Sequence, residues 1–157
     1  MKSVHAVHAW LEGQHPGRVH RPRTAVFHAR PGHYYLVDPP EDEAAGHQLL
    51  ADISARSGNA EASLIRINQA VVVSVARASA VTAPIEVPRR TIGITHFEWL
   101  AHTHPHELVD RYHPAPNAPT ANEIEVLTRV AHVWGPQATK IVVCKAGAVL
   151  ETVPLSA

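Results

Sequence analysis

The sequence is poor in cysteine, in aromatic residues and in long apolar runs, and two of these shortages exclude whole classes of protein. A single cysteine among 157 residues excludes an internal disulfide and a zinc site built from cysteines. No stretch approaches the roughly 18 consecutive apolar residues of a membrane-spanning helix. The amino-terminal segment lacks the apolar core of a secretory signal. We therefore expect a cytoplasmic protein that has no membrane partner.

An excess of charge of one sign is also missing. Fourteen basic side chains balance fourteen acidic ones, so the overall charge gives no reason to expect nucleic acid as a partner. With 45% apolar and 18% charged residues, the composition is that of a globular protein long enough to bury a core. We expect one domain over residues 1–157, with residues 1–40 as an extension of unclear role.

The chain does contain helix and strand patterns in alternation. One helix is predicted between Glu41 and Gly58, where acidic residues precede apolar positions spaced four apart. A second is predicted from Thr120 to Gly135. Strands are predicted at 24–29, 33–37, 63–67, 70–78, 95–104, 139–145 and 148–153, the last two as a hairpin that turns at 146–147. This order predicts an α/β domain with a mixed sheet packed between helices.

Two of the thirteen histidines are distinguished by their spacing. His102 and His104 come at the end of a predicted strand, where side chains two residues apart project from the same face. Pro105 follows and ends the backbone ladder. This arrangement presents two imidazole nitrogens to one metal ion, and a catalytic zinc ion usually takes a third protein ligand. The pair therefore predicts a zinc site if a third ligand is near.

The third ligand has three candidates, which are Asp110, His113 and Glu123. The last of these also completes a T-x-x-E capping box with Thr120, in which both side chains satisfy backbone donors at the start of a helix. A glutamate that serves the helix in this way is not expected to serve a metal fully as well. The residues alone leave this choice open.

Other titratable side chains have simpler interpretations. His5 and His8 can share a helical face, but no further ligand follows, so we interpret them as surface or packing residues. Cys144 lies in an apolar strand and is interpreted as a buried thiol. Strand alternation places Glu98 on the same face as His102. Three roles stay open for it: an acceptor of a hydrogen bond from that imidazole, a rival base, or a solvated carboxylate.

The segments HTHP and PTANE, with a loop of residues 106–119 between them, resemble the JAMM motif of JAB/MPN metallopeptidases. That motif is His-x-His-Pro, a spacer, and Ser-x-x-Asp. The resemblance covers residues 41–157 and implies the mixed-sheet, cytidine-deaminase-like fold of that family. This chain has threonine in place of serine, glutamate in place of aspartate, and a longer spacer.

The resemblance also implies a set of site residues. His102, His104 and Glu123 would bind one zinc ion per chain. Glu61, which ends a Ser-x-Asn-x-Glu turn before an apolar strand, would be the catalytic base. The hydroxyl group of Thr120 would stabilise the developing oxyanion.

The activity implied by the resemblance is hydrolysis of a peptide or isopeptide bond. The expected substrate is a protein, and in particular a ubiquitin-like modifier or its conjugate. Two alternatives keep the same fold: a non-catalytic protein-binding module, and a JAB-like peptidase associated with toxins or phages that has another substrate. A third alternative is an unrelated structural α/β domain whose histidines lie on the surface.

Overall fold

The computed structural model describes residues 3–77, 93–108 and 115–155. Within these ranges, one seven-stranded sheet carries three α-helices. The helices are α1 (Val4–Gln14), α2 (Glu43–Arg56) and α3 (Ala121–Trp134). The strands are β1 (Val19–His20), β2 (Tyr34–Val37), β3 (Ala62–Ile67), β4 (Ala70–Val75), β5 (Phe97–Pro105), β6 (Thr139–Lys145) and β7 (Ala148–Leu155). A short 3₁₀ helix, His106–Leu108, follows β5.

The strands lie in the order β1-β2-β4-β3-β5-β6-β7. The pairs β1–β2 and β5–β6 are parallel, and the other neighbours are antiparallel. The sheet is therefore mixed. Residues 3–40 contribute α1, β1 and β2, so this segment continues the same sheet as the rest of the described chain.

Apolar side chains cover both faces of the sheet. On one face, α1 and α3 pack through residues such as Val7 and Leu127 against a cluster that includes Trp99. On the other face, α2 packs through Leu50 and Ile53. Burial of such side chains contributes about 1.5–3 kcal/mol each. The predicted mixed sheet between helices is confirmed in this form.

Local signals set the ends of the predicted elements. The Asp42 side chain accepts a hydrogen bond from the Ala45 amide (2.8 Å) at the start of α2, and Gly58 takes a positive φ of 74° just after the helix. The β6–β7 hairpin turns at Ala146 and Gly147, which both have positive φ. The predictions of this helix and this turn are confirmed.

The predicted strand at 24–29 is wrong, because side chains take the backbone groups that a neighbouring strand would bind. The Thr24 hydroxyl donates to the Val26 carbonyl at 2.7 Å. The Tyr35 hydroxyl accepts from the Arg30 amide at 2.7 Å and donates to the His28 carbonyl at 3.3 Å. This local bonding competes with a ladder, and the edge strand is instead the two-residue β1.

A β-bulge in β5 decides which of its side chains face α3. Leu64 of β3 pairs with Ala101 and Ile65 pairs with Trp99, so Leu100 is the extra residue. The bulge puts Trp99 and His102 on one face, where their rings stack with centroids 4.8 Å apart. Glu98 consequently lies on the opposite face from His102, and the prediction that they share a face is wrong.

Candidate metal centre

The two motif histidines lie in the last part of β5, which has β3 as its neighbour on one edge and β6 on the other. His102 is opposite Ser63 of β3 and beside Ile141 of β6. His104 lies two residues further, near the carboxyl end of the strand, and both side chains are fully buried. Their Nε2 atoms are 3.2 Å apart. The predicted placement of both imidazoles on one face at the strand end is confirmed.

Helix α3 brings Glu123 to both histidines. Its Oε2 atom lies 2.9 Å from His102 Nε2 and 2.6 Å from His104 Nε2. These three buried residues form a group whose ligand atoms lie within 4.8 Å of one another, the only such group of three His, Cys, Asp or Glu side chains found among the described residues. The residues present therefore fit a metal ion, since imidazole and carboxylate are ligands of zinc and related cations.

The same carboxylate also caps the helix. Glu123 Oε1 accepts a hydrogen bond from the Thr120 amide at 2.7 Å, and Thr120 Oγ1 accepts one from the Glu123 amide at 3.2 Å. The capping box is therefore complete. The two contacts use different oxygens of one carboxylate: Oε1 faces the cap and Oε2 faces the histidines.

Electrostatics keep Glu123 ionised. Burial alone would raise its pKa, but the hydrogen bonds and positive charge of His102 and His104 together outweigh this effect and hold the pKa well below its usual range. The group therefore offers an anionic oxygen at neutral pH, which is the state that a metal ligand needs.

Contacts behind the imidazoles fix their orientation. His104 Nδ1 lies 2.8 Å from the carbonyl oxygen of Pro116; because a carbonyl only accepts, Nδ1 carries the proton and donates. With Nδ1 committed to this carbonyl, Nε2 is the nitrogen that faces Glu123: it donates to the carboxylate when protonated, and it would offer its lone pair instead to a bound metal ion. Trp99 stacks on His102 and donates from Nε1 to Ser63 Oγ at 3.3 Å. The long spacer thus includes a backbone acceptor for one of the histidines.

Glu61 lies beside this group without being part of it. The side chain is fully buried, and its Oε1 atom is 3.9 Å from His104 Nε2. Burial raises the pKa of Glu61 to about 9; the negative charge of Glu123 acts in the same direction, and His104 opposes both. A buried carboxyl group with such a perturbed pKa, next to a potential metal group, is typical of functional sites.

Backbone contacts around Glu61 hold it at the sheet end. The Ala62 amide donates to Thr103 Oγ1 at 2.9 Å, the Ala76 amide donates to the Glu61 carbonyl at 2.8 Å, and the Ser54 hydroxyl donates to the Ala60 carbonyl at 2.6 Å. Thr103 lies between the two histidines in sequence but on the opposite face of β5. This role of Thr103 is not visible in the sequence, because no local signal indicates which residue a threonine in a strand will contact.

The other candidate ligands and titratable side chains either lie away from the His-His-Glu group or lie outside the described residues. Asp110 and His113 lie outside the described residues. Glu98 is partly exposed and contacts His96 Nε2 at 3.1 Å, so it does not reach the buried histidines. Cys144 is buried as predicted, and burial raises the pKa of its thiol to about 12.

Comparisons of the chain with family models, with curated proteins and with solved structures found no match. Among the described residues, no helix has the length and apolar character needed to cross a bilayer. The α/β fold and the buried His-His-Glu group, which is compatible with a metal ion, are therefore the features from which a function can be inferred.

Proposed function

We propose that this chain is a zinc-dependent metallohydrolase of the JAB/MPN type that cleaves a peptide or isopeptide bond. The observation that carries the proposal is the buried carboxyl group of Glu61, 3.9 Å from His104, next to the group formed by His102, His104 and Glu123. Two histidines and a carboxylate are a common ligand set of catalytic zinc in peptidases. A second carboxyl group that is not a ligand supplies the acid–base function that hydrolysis requires.

In the proposed mechanism, His102, His104 and Glu123 would hold one zinc ion. When bound, zinc acts as a Lewis acid and lowers the pKa of water from about 15.7 to about 7. Glu61 takes a proton from the attacking water at a carboxylate oxygen and returns it to the nitrogen of the leaving amine. The Thr120 hydroxyl donates a hydrogen bond to the carbonyl oxygen as negative charge develops there.

The state of Glu61 suits this role. Its raised pKa of about 9 means that the group binds a proton readily, whereas a nearby cation favours the ionised form. Both states are needed by a group that accepts a proton and then donates it. We include in the proposal a cytoplasmic location and a ubiquitin-like modifier, or its conjugate, as the protein substrate.

Substitution of Glu61 tests the enzymatic part of the proposal. Glu61→Gln preserves size and removes the basic oxygen, so we expect near-normal zinc content and a loss of turnover of about 10²–10⁴-fold. The measurement is hydrolysis of a fluorogenic substrate in which the tail of a ubiquitin-like protein is joined to a lysine side chain. Glu98→Gln is the matched control, because Glu98 lies on the other face of β5 and is partly exposed.

Two outcomes would contradict the proposal. One is wild-type turnover in the Glu61→Gln variant, and the other is a zinc-loaded protein that hydrolyses neither peptide nor isopeptide substrates. The second outcome, with zinc still bound, would leave a metal-containing protein that is not a peptidase, whereas cleavage of a peptide but not of the ubiquitin-like conjugate would leave a JAB-like peptidase with a different substrate.

A non-catalytic binding module is the second candidate. It is favoured by the distances of 2.6–3.2 Å within the His102–His104–Glu123 group, because these atoms can satisfy one another as a buried hydrogen-bond network. Metal analysis of protein purified without a histidine tag separates the two candidates. About one zinc ion per chain supports the enzyme, and the absence of bound metal supports the module.

A further inference from the structure

Charge is unevenly distributed along this neutral chain. Residues 13–37 contain four arginines, four histidines and neither aspartate nor glutamate. The fold brings part of this segment to one end of the sheet together with Arg77, which follows β4. We call Arg18, Arg30, His33 and Arg77 the basic rim.

Backbone hydrogen bonds fix the position of the basic rim. The Tyr34 amide donates to the Arg18 carbonyl at 2.8 Å, the Val75 amide donates to the His33 carbonyl at 3.1 Å, and the Gly32 amide donates to the Val75 carbonyl at 2.8 Å. The next amide along β4, that of Ala76, donates to the Glu61 carbonyl. The basic rim and Glu61 therefore lie at the same end of the sheet, on neighbouring strands.

The rim is exposed to solvent, and no carboxylate of the described residues pairs with its arginines. Arg30 and Arg77 are exposed and Arg18 is half-buried, and none of these three guanidinium groups has a carboxylate partner among the described residues. The nearest acid in the sequence before the segment, Glu12, accepts a hydrogen bond from the Gly17 amide at 2.7 Å. The Arg77 side chain lies beside Gly32, whose φ is 84°, so the two residues are neighbours at the rim.

The electrostatic environment of His33 is part of the same positive field. Burial lowers the pKa of His33, and the positive charges of His20, Arg30 and Arg18 lower it further. These groups are therefore close enough to repel one another, and a bound anion would relieve that repulsion.

We propose that the basic rim binds an acidic segment of a protein partner. A guanidinium group binds a carboxylate through two parallel hydrogen bonds, which the ammonium group of a lysine does not form. The arginines of the rim are therefore well suited to bind carboxylates. Proteins that bind single-stranded nucleic acid add aromatic side chains on which bases stack, whereas Tyr34 and Tyr35 beside the rim are 5% and 3% exposed. The observations thus favour a polypeptide over a nucleic acid.

Because the rim lies at the same end of the sheet as Glu61, we extend the proposal: the acidic partner is the substrate of this site. This extension rests on the proposed function. Adjacent strands lie about 4.8 Å apart, and only β3 lies between β4, which Arg77 follows, and β5, which carries the histidines, so the axes of β4 and β5 are about 10 Å apart. An extended chain covers about 3.3 Å per residue. The acidic residues of the substrate would therefore lie about three residues from the bond that is cleaved.

A binding experiment without metal tests the rim independently of catalysis. The probe is a fluorescein-labelled decapeptide with four glutamates, compared by anisotropy at low salt with the same peptide carrying glutamines. We expect the full chain to bind the glutamate peptide at least tenfold more tightly, and salt to weaken the binding. The double substitution Arg30→Glu and Arg77→Glu should weaken it by at least tenfold. Arg129→Glu, an exposed arginine on α3, is the matched control and should bind normally.

Three results would overturn the proposal. The first is equal binding of the two peptides, and the second is equal binding of the glutamate peptide by the wild type and the double variant. The third is tighter binding of a thymidine oligonucleotide that displaces the peptide, which would assign the rim to nucleic acid. Circular dichroism checks folding, and the milder pair Arg30→Gln and Arg77→Gln replaces the double variant if that variant does not fold. Peptide binding by a chain that hydrolyses nothing would leave the rim intact and contradict only the proposed function.

Discussion

In the described part of the chain, two close pairs of histidines lie in opposite electrostatic surroundings. His102 and His104 place their nearest nitrogens 3.2 Å apart, and His20 and His33 place theirs 2.8 Å apart. The first pair is fully buried and shares the carboxylate of Glu123. The second pair is partly buried, its rings are stacked with centroids 5.1 Å apart, and the charges that act on it are those of arginines.

The difference shows that spacing alone does not make a metal site. A divalent cation needs lone pairs directed at one point and, in most sites, a compensating negative charge. Glu123 supplies that charge to the buried pair, whereas the arginines around the outer pair repel a cation. We therefore expect only the buried pair to bind metal.

Removal of one histidine from each pair gives the largest contrast. His104→Ala should lower zinc affinity by more than about 100-fold, since even the outer partners of metal ligands commonly contribute 10–100-fold. His33→Ala should leave zinc content unchanged. Zinc content by atomic absorption after dialysis checks both variants, and circular dichroism shows whether the fold persists. Full zinc occupancy in His104→Ala would remove the buried pair from consideration as the metal site.

Two substitutions of Glu123 separate its capping role from its role toward metal. In Glu123→Gln, the amide oxygen can still accept from the Thr120 amide, so the cap persists, whereas zinc affinity should fall sharply because the amide is neutral. Both variants lose the charged contacts with the histidines, and Glu123→Ala should be less stable than Glu123→Gln by about 0.5–2 kcal/mol, because only the alanine variant also loses the cap. Zinc titration and thermal denaturation of the metal-free variants measure the two effects. Zinc binding that survives both substitutions would point to a ligand outside the described residues.

The contact between Thr103 and the Ala62 amide gives a smaller effect. Thr103→Val removes the acceptor and should lower the free energy of unfolding by about 0.5–1.5 kcal/mol. It should also reduce turnover while zinc affinity stays near that of the wild type, because Glu61 moves and the histidines do not. Thr103→Ser keeps the hydroxyl and should restore turnover. If both variants lose activity equally, the hydroxyl does not position Glu61.

The smallest effect concerns the pH dependence of the outer pair. The pKa of His33 lies below its ordinary value of 6.5, so below that pH the unfolded chain binds a proton more readily than the folded protein. Stability should therefore fall as the pH drops through 6.5. His33→Gln removes this contribution, so its Tm should fall less than that of the wild type between about pH 8 and pH 5.5. Identical changes in Tm would show that the environment of His33 does not penalise its protonation.

Much of the fold followed from local patterns in the sequence. The periodicity of α2 and α3, the turn at 146–147 and the β-branched strands are properties of neighbouring residues, and each was predicted. The His102–His104 pair was predictable for the same reason, because strand alternation over two residues suffices to orient it. The group with Glu123 required the family resemblance, since no local rule brings α3 to the end of β5.

The errors came from interactions between distant residues. Glu98 was placed on the wrong face because the bulge at Leu100 shifts the alternation by one residue, and only the pairing of β5 with β3 reveals it. The strand expected at 24–29 was lost to hydrogen bonds with the Tyr35 side chain. The choice between cap and metal for Glu123 stayed open rather than wrong, because the sequence does not say how the two oxygens of a carboxylate are oriented.

The divided carboxylate of Glu123 has a consequence for the entropy of the site. Ordering a buried glutamate side chain costs about 1.5–2 kcal/mol in lost rotamer freedom. In the folded protein, the Oε1 contact with the Thr120 amide already selects the rotamer in which Oε2 faces the histidines. A cation that binds there meets a ligand that is ordered in advance, so the first turn of α3 and the metal affinity are coupled through the conformation of one side chain.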